Sequence, residues 1–309
     1  MGASASPLGE YLRARRKVLK PEDVGLPFDA ARRVPGLRRE EVAARADISP
    51  EYYLRIEQGR DRRPSEQVVR SLAKALLLDD DGANYLFRVA RPLPYLRAVR
   101  EPSVVSDSVR RLLDAWTQTP AYVTDANLDV LAANRLARLV SPGILVPGTN
   151  LLEAAYDHLA MATMTTVTNG TDVDLEWEET IREYIGALRF NGDPDDARLQ
   201  DVVGRLSSRH LSFRRIWAEH DVSRLTTGLR RVIVEPFGRV DLVWQTLGIP
   251  RSPRQFLTTY MAEPGSRSAE ALRALSSRSS SDPGVAPGGL ESTLVLGGRD
   301  RESSDERAS

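Results

Sequence analysis

The chain has 309 residues, 41% hydrophobic and 28% charged, enough to build two domains with cores of their own. Its 43 basic and 43 acidic residues cancel overall but not locally: residues 1–91 carry a net +4 and the remainder −4, which points to a nucleic-acid partner for the N-terminal part. The absence of cysteine excludes disulfides, thiolate catalysis and Cys-ligated metals, and the lack of both a long apolar run and a signal-like N-terminus predicts a cytoplasmic protein.

Three regions follow from composition. Residues 8–91 read as short helices joined by basic loops, and residues 103–275 as mixed helix and strand. From Ser276 the chain turns to Ser, Gly, Pro and Arg, so residues 276–309 are expected to be a disordered tail, with Leu294-Val295-Leu296 too short to form a core. Pro92 and Pro94 forbid a helix running through the first boundary. Only three basic residues are lysine (Lys17, Lys20, Lys74), an arginine bias that a GC-rich genome also produces.

Leu8, Tyr11, Leu12 and Leu19 form a first helical stripe, ended by Pro21. Residues 21–36 read as a loop, and a second helix starts near Leu37. Ala46-Asp47-Ile48 breaks the pattern. Ser49 then supplies an N-cap oxygen, and Pro50 occupies the first helical position, where its missing N–H costs nothing. The third helix runs to about Gln58, with Tyr53 and Ile56 inward and Gly59 closing it. Two more helices follow, one after Ser65 and one over about 81–90.

Two short helices joined by a three-residue turn describe an all-α helix-turn-helix module, whose second helix enters a major groove about 12 Å wide. Its first turn carries Ser49, Pro50, Glu51 and Tyr52, with Arg55 one turn on. Arg55 suits bidentate pairing with guanine, and Glu51 suits cytosine N4. Arg38 and Arg39, then Arg60, Arg62 and Arg63, fall where phosphate contacts are made, and Arg32 and Arg33 extend this set. A solvated helix face explains surface arginines equally well. The balance shifts with Gly36-Leu37-Arg38-Arg39-Glu40-Glu41-Val42-Ala43 and Ile48-Ser49-Pro50-Glu51-Tyr52-Tyr53-Leu54-Arg55-Ile56-Glu57-Gln58-Gly59-Arg60. These resemble the Xre-type, Cro/repressor-like helix-turn-helix over residues 8–91, and the resemblance implies double-stranded operator DNA as partner. Arg39 stands where that family usually has Gln, and the insert 20–36 departs from its minimal pattern.

In the second region a helix over 103–117 precedes two strands, 120–125 and 128–132, and a short helix from Asn134. Helices follow at about 150–162, 174–190, 195–208 and 210–219, then strands at 230–235, 240–246 and 255–261. That order predicts an α+β domain with a five-stranded antiparallel sheet and helices over one face, a PAS-like layout that leaves room for a small ligand. Catalytic patterns are missing: His158, His210 and His220 lack metal spacing, and Gly-x-Ser-x-Gly and phosphate-loop signatures are absent. His220 next to Asp221 reads as a helix C-terminal residue rather than a base, so no enzyme, no metal and no resident cofactor is expected.

Leu112-Leu113-Asp114-Ala115-Trp116, Leu128-Asp129-Val130-Leu131-Ala132-Ala133-Asn134, the run from Ser212 to Val222 and Tyr260-Met261-Ala262-Glu263-Pro264-Gly265-Ser266 are similar to the MmyB-like ligand-binding domain. The resemblance implies an actinobacterial transcription regulator binding a fatty-acid-like molecule in a PAS-like cavity. Ala133 and Thr149 replace a Trp and an Arg usual in that family, and residues 162–171 are atypical, which leaves the ligand open. For an acyl ligand, Asn134, Arg189 and His220 are the candidate anchors of the acid group, and Leu131, Met161, Phe213, Trp217 and Trp244 the candidate lining. The combined reading is a homodimeric, ligand-responsive regulator, with no membrane partner. Two rival readings are a C-terminal domain serving only dimerisation or partner binding, and an acyl-processing enzyme using His220.

Overall fold

The computed structural model describes residues 6–27, 34–61, 63–91, 104–165, 172–281 and 294–296. In chain order its helices are α1 (Pro7–Val18), α2 (Arg39–Arg45), α3 (Pro50–Glu57), α4 (Glu66–Ala75), α5 (Asp80–Ala90), α6 (Asp107–Ala115), α7 (Arg135–Val140), α8 (Leu151–Thr165), α9 (Asp172–Asn191), α10 (Ala197–Arg209), α11 (Leu211–Ala218) and α12 (Arg267–Ser281). The strands are β1 (Ala121–Asp125), β2 (Val130–Ala133), β3 (Thr227–Val234), β4 (Gly238–Ile249), β5 (Ser252–Met261) and β6 (Leu294–Leu296). None of the described helices is long and apolar enough to cross a membrane.

The chain divides into two compact units. The first holds residues 1–101 together with 185–224, and the second holds 102–184 and 225–309. The stretch 185–224 groups with the N-terminal helices in the first unit. The reason is packing: Val222 is buried in their core, with Phe190 packed against it.

In the first unit the core is made by Leu8, Tyr11 and Leu12 of α1, Leu37, Val42 of α2, Tyr53 and Ile56 of α3, Leu72 of α4 and Leu86 of α5. Side-chain caps fix where α1, α3, α4 and α5 begin. The Oγ atoms of Ser6, Ser49 and Ser65 accept the N–H groups of Gly9, Tyr52 and Val68, and Asp79 does the same for Gly82. The loop before α2 reaches α1 through Leu37 N–H donating to the Arg16 carbonyl, and a Cβ on Gly36 would lie 2.4–2.6 Å from the backbone of Arg16 and Lys17. Only glycine permits that approach.

The second unit is a sheet in the order β2-β1-β5-β4-β3-β6, antiparallel between every neighbouring pair. The five expected strands are present, and Leu294–Leu296 adds a sixth against β3. These residues were expected to lie in a disordered tail. Hydrogen bonding to an open strand edge gives even three residues a place. The tail boundary at 276 likewise falls inside α12, where Ser276 Oγ donates to the Thr117 carbonyl at 2.8 Å. The turn between β1 and β2 is an Asx turn, in which Asp125 Oδ1 accepts from Asn127 and Asp129 N–H at 2.8 and 3.0 Å.

Candidate nucleic-acid and ligand sites

The turn between α2 and α3 places Asp47 at φ 55, a left-handed conformation that Asp tolerates better than most residues. Ser49 Oγ accepts Tyr52 N–H at 3.1 Å, and Pro50 occupies the first helical position. This fixes where α3 begins and therefore which side chains lead it. Ser49, Pro50, Glu51 and Arg55 are exposed and Tyr52 is half-buried. The Arg55 guanidinium lies 5.3 Å from the centroid of the Tyr52 ring. Among the described residues it has no ion-pair partner. A cation resting on an aromatic face is aimed but not neutralised, a state suited to exchange for a base edge or phosphate. Arg38, Arg60 and Arg63 are exposed, and Arg62 lies outside the described residues, as do Arg32 and Arg33.

Arg39 does something the sequence reading did not foresee. Its Nε and Nη2 donate to Glu57 Oε1 at 3.0 and 2.9 Å. Glu57 is buried and also holds Arg16. Burial pushes the Glu57 carboxyl up, but the hydrogen bonds from Arg16 and Arg39 outweigh it and leave it below the usual carboxylate range. Arg39 therefore has a structural role, holding the end of α3 to α2. The signal was available: Glu57 is four residues from Tyr53 and next to Ile56, so helical periodicity puts a carboxylate on the core face.

The candidate ligand residues fall into separate groups. Asn134 is an N-cap with its amide fully used: Oδ1 accepts from Ala121 and Ala137, and Nδ2 donates to the carbonyls of Trp116 and Thr119. Leu131 is half-buried against the cluster of Val105, Leu113, Val123 and Leu257. Trp244 is buried on β4, so close over Gly228 that a Cβ there would lie 2.7 Å from the indole. The Met161 side chain lies outside the described set. All of these belong to the second unit.

Arg189, Phe213, Trp217 and His220 come together in the first unit. The Arg189 guanidinium lies 3.8 Å from the Trp217 ring centroid, donates to the Trp217 carbonyl at 2.6 Å, and bonds His220 Nδ1 at 3.1 Å. Phe213 is buried and stacks on Trp217 at 5.6 Å. Burial, helped by the charges of Arg189 and Arg15, pushes His220 down to about 4, so it is neutral near pH 7 and accepts from Arg189. Arg189, Trp217 and His220 face an open cleft of about 460 Å3.

One buried cation escaped the sequence reading altogether. Arg230 on β3 is 2% exposed. Nη1 donates to Thr180 Oγ1 at 3.0 Å and Nη2 to the Tyr184 hydroxyl at 3.3 Å, while Nε has no partner. Tyr122, Tyr184 and Tyr260 surround it and, with Glu183, outweigh its burial to hold its pKa above the ordinary value. No carboxylate among the described residues is bonded to it. An arginine has five N–H donors, and the Nε donor of this one is unspent inside the fold. Nothing local marks it: β3 alternation predicts an inward residue at 230, but not that it would be left without a counter-ion.

Residues 105–275 match the family model of the MmyB-like transcription regulator ligand binding domain, and residues 7–86 match a helix-turn-helix domain model. No curated protein matches the chain.

Proposed function

The chain belongs to the MmyB-like transcription regulators, and we propose that it is a cytoplasmic, non-enzymatic, homodimeric regulator whose affinity for an operator is set by a small hydrophobic, fatty-acid-like ligand. The helix-turn-helix and ligand-binding matches support the coarse statement, a ligand-responsive DNA-binding regulator. The observation that carries the finer one is Arg230. A buried guanidinium with an unused Nε and three tyrosines about it is the chemistry that holds a carboxylate, and buried Leu242, Val232 and Trp244 on the same sheet supply apolar neighbours for a chain. In this reading the acid group sits at Arg230 of a PAS-like second unit, and the ligand shifts the population of DNA-competent protein by binding one arrangement better than another.

The test is mass spectrometry of the purified protein, intact and after organic extraction, beside Arg230→Met. A co-purifying carboxylic acid in the parent, lost in a variant whose circular dichroism is unchanged, supports the reading. An empty parent protein that also takes up no added palmitate overturns the lipid assignment and leaves the DNA-binding one standing.

A second reading, in which the second unit only dimerises, is favoured by one observation. Val243 and Met261 are register partners on β4 and β5, and both, with Leu247, leave large apolar side chains exposed on the sheet. Sedimentation of Leu247→Lys distinguishes the two, because loss of the dimer with retained lipid makes the face and the ligand separate devices.

A further inference from the structure

We propose that the cleft on α1 is a second effector site, for a small anion carrying an apolar body, and that its occupant acts on the recognition helix α3 through Arg13. The site is distinct from the lipid anchor proposed at Arg230, because every residue that lines it belongs to the first unit.

Arg189 is only 9% exposed, its Nε has no hydrogen-bond partner, and no carboxylate is bonded to it among the described residues. Its other nitrogens are spent on neutral groups, His220 Nδ1 and the Trp217 carbonyl. A buried cation with an idle donor on a cleft wall points to an anion. Lys17 and Arg13 of α1 line the same cleft, against the single carboxylate of Glu10, so the lining is net positive. Leu199 and Val203 of α10 add apolar surface. A volume of about 460 Å3 is within the range of small-molecule sites.

Arg13 lines the cleft and also reaches the end of α3. Its Nε lies 3.5 Å from Glu57 Oε1, yet Nε is buried and makes no hydrogen bond. Glu57 is the last residue of α3 and holds α3 to Arg16 of α1 and Arg39 of α2. An anion in the cleft competes with Glu57 for Arg13. Drawing Arg13 away weakens the attraction that holds the end of α3 and changes the seating of the helix that leads with Glu51 and Arg55. The ligand shifts that equilibrium only by its differential affinity for the two seatings.

The experiment uses full-length, delipidated protein, 1-naphthoate as the anion with an apolar body, and inorganic phosphate as the anion without one. Calorimetry is expected to show a 1-naphthoate site that is kept in Arg230→Met and lost in both Lys17→Glu and Val203→Trp, with phosphate binding there at least about tenfold more weakly. Lys17 is a surface residue, so the first variant remains informative where the second fails to fold. Hydrogen exchange of residues 50–60 is expected to change on naphthoate binding in the parent chain. The proposal is overturned by absence of naphthoate binding, by binding that survives Lys17→Glu undiminished, or by binding that leaves exchange at 50–60 unaltered.

Discussion

Arg16 and Glu57 form a two-pronged pair across the first unit: Nε meets Oε2 at 3.0 Å and Nη2 meets Oε1 at 3.2 Å, while Nη1 donates to the Leu37 carbonyl at 2.8 Å. One guanidinium thus ties α1 to the end of α3 and to the strand of chain that leads into α2. The carboxylate is fully buried, so its partners, rather than water, compensate its charge.

Removing that carboxylate leaves Arg16 buried and unpaired. Glu57→Ala is expected to cost about 3–5 kcal/mol in the N-terminal unit, read by urea unfolding. The pH dependence has a definite sign. The folded carboxyl titrates below its unfolded value, so the unfolded chain binds more protons across that interval and stability falls as pH drops through the lowered pKa. Glu57→Gln should flatten that acid limb, and an unchanged limb would mean the network contributes nothing to folding.

The α3 cap gives a smaller and cleaner effect. Ser49→Ala removes the oxygen that accepts Tyr52 N–H and should cost about 1 kcal/mol. Because Ser49 is exposed, little else is lost. Ser49→Asp, which restores an acceptor at the helix start, is expected to recover most of the stability in the same thermal melt.

Two arginines should separate base reading from phosphate binding on an operator obtained by selection from random DNA. Arg55→Ala is expected to cost about 1–3 kcal/mol and to relax preference at one base position. Arg60→Ala is expected to weaken all sequences alike and reduce the salt slope by about one. Equal effects of both on every sequence would show that α3 does not read bases through Arg55.

Asp125 makes the opposite pH prediction to Glu57. Burial pushes it up to about 6, against the pull of the Asp129 and Asn127 N–H groups. The folded chain therefore binds more protons between the unfolded value and about 6, and stability declines as pH rises through that window. Asp125→Asn keeps an Oδ1 acceptor for the turn and removes the buried charge. It should raise the melting temperature at pH 8 and make little difference near pH 3.5, as read by scanning calorimetry.

Much of the helical part was legible locally. Ser49-Pro50, Ser65 and Gly59 are punctuation, and the stripes of α1, α3 and α4 are helical periods, so helix positions follow from side-chain chemistry within a few residues. Strand positions were legible by alternation, and the sheet needs only its neighbours in β1 to β5 to close. Less visible were contacts between residues far apart. Arg39 read as a phosphate contact because its sequence neighbours are solvent-facing, and only the approach of α3 gave it Glu57, eighteen positions away. Leu294–Leu296 read as tail because three residues cannot stabilise a strand alone, and the edge of β3 supplied what they lacked.

The sequence by itself determined the module order, the start of α3 and the residue types in its exposed first turn, because caps, turn residues and helical period act over a few positions. Tertiary structure decided which charges are spent and which are spare. Arg39 is engaged by a buried carboxylate, while Arg189 and Arg230 are buried with donors unused. Whether an arginine is a support or a binding site depends on the dielectric and the partners that folding brings to it, and neither is a property of its neighbours in the chain.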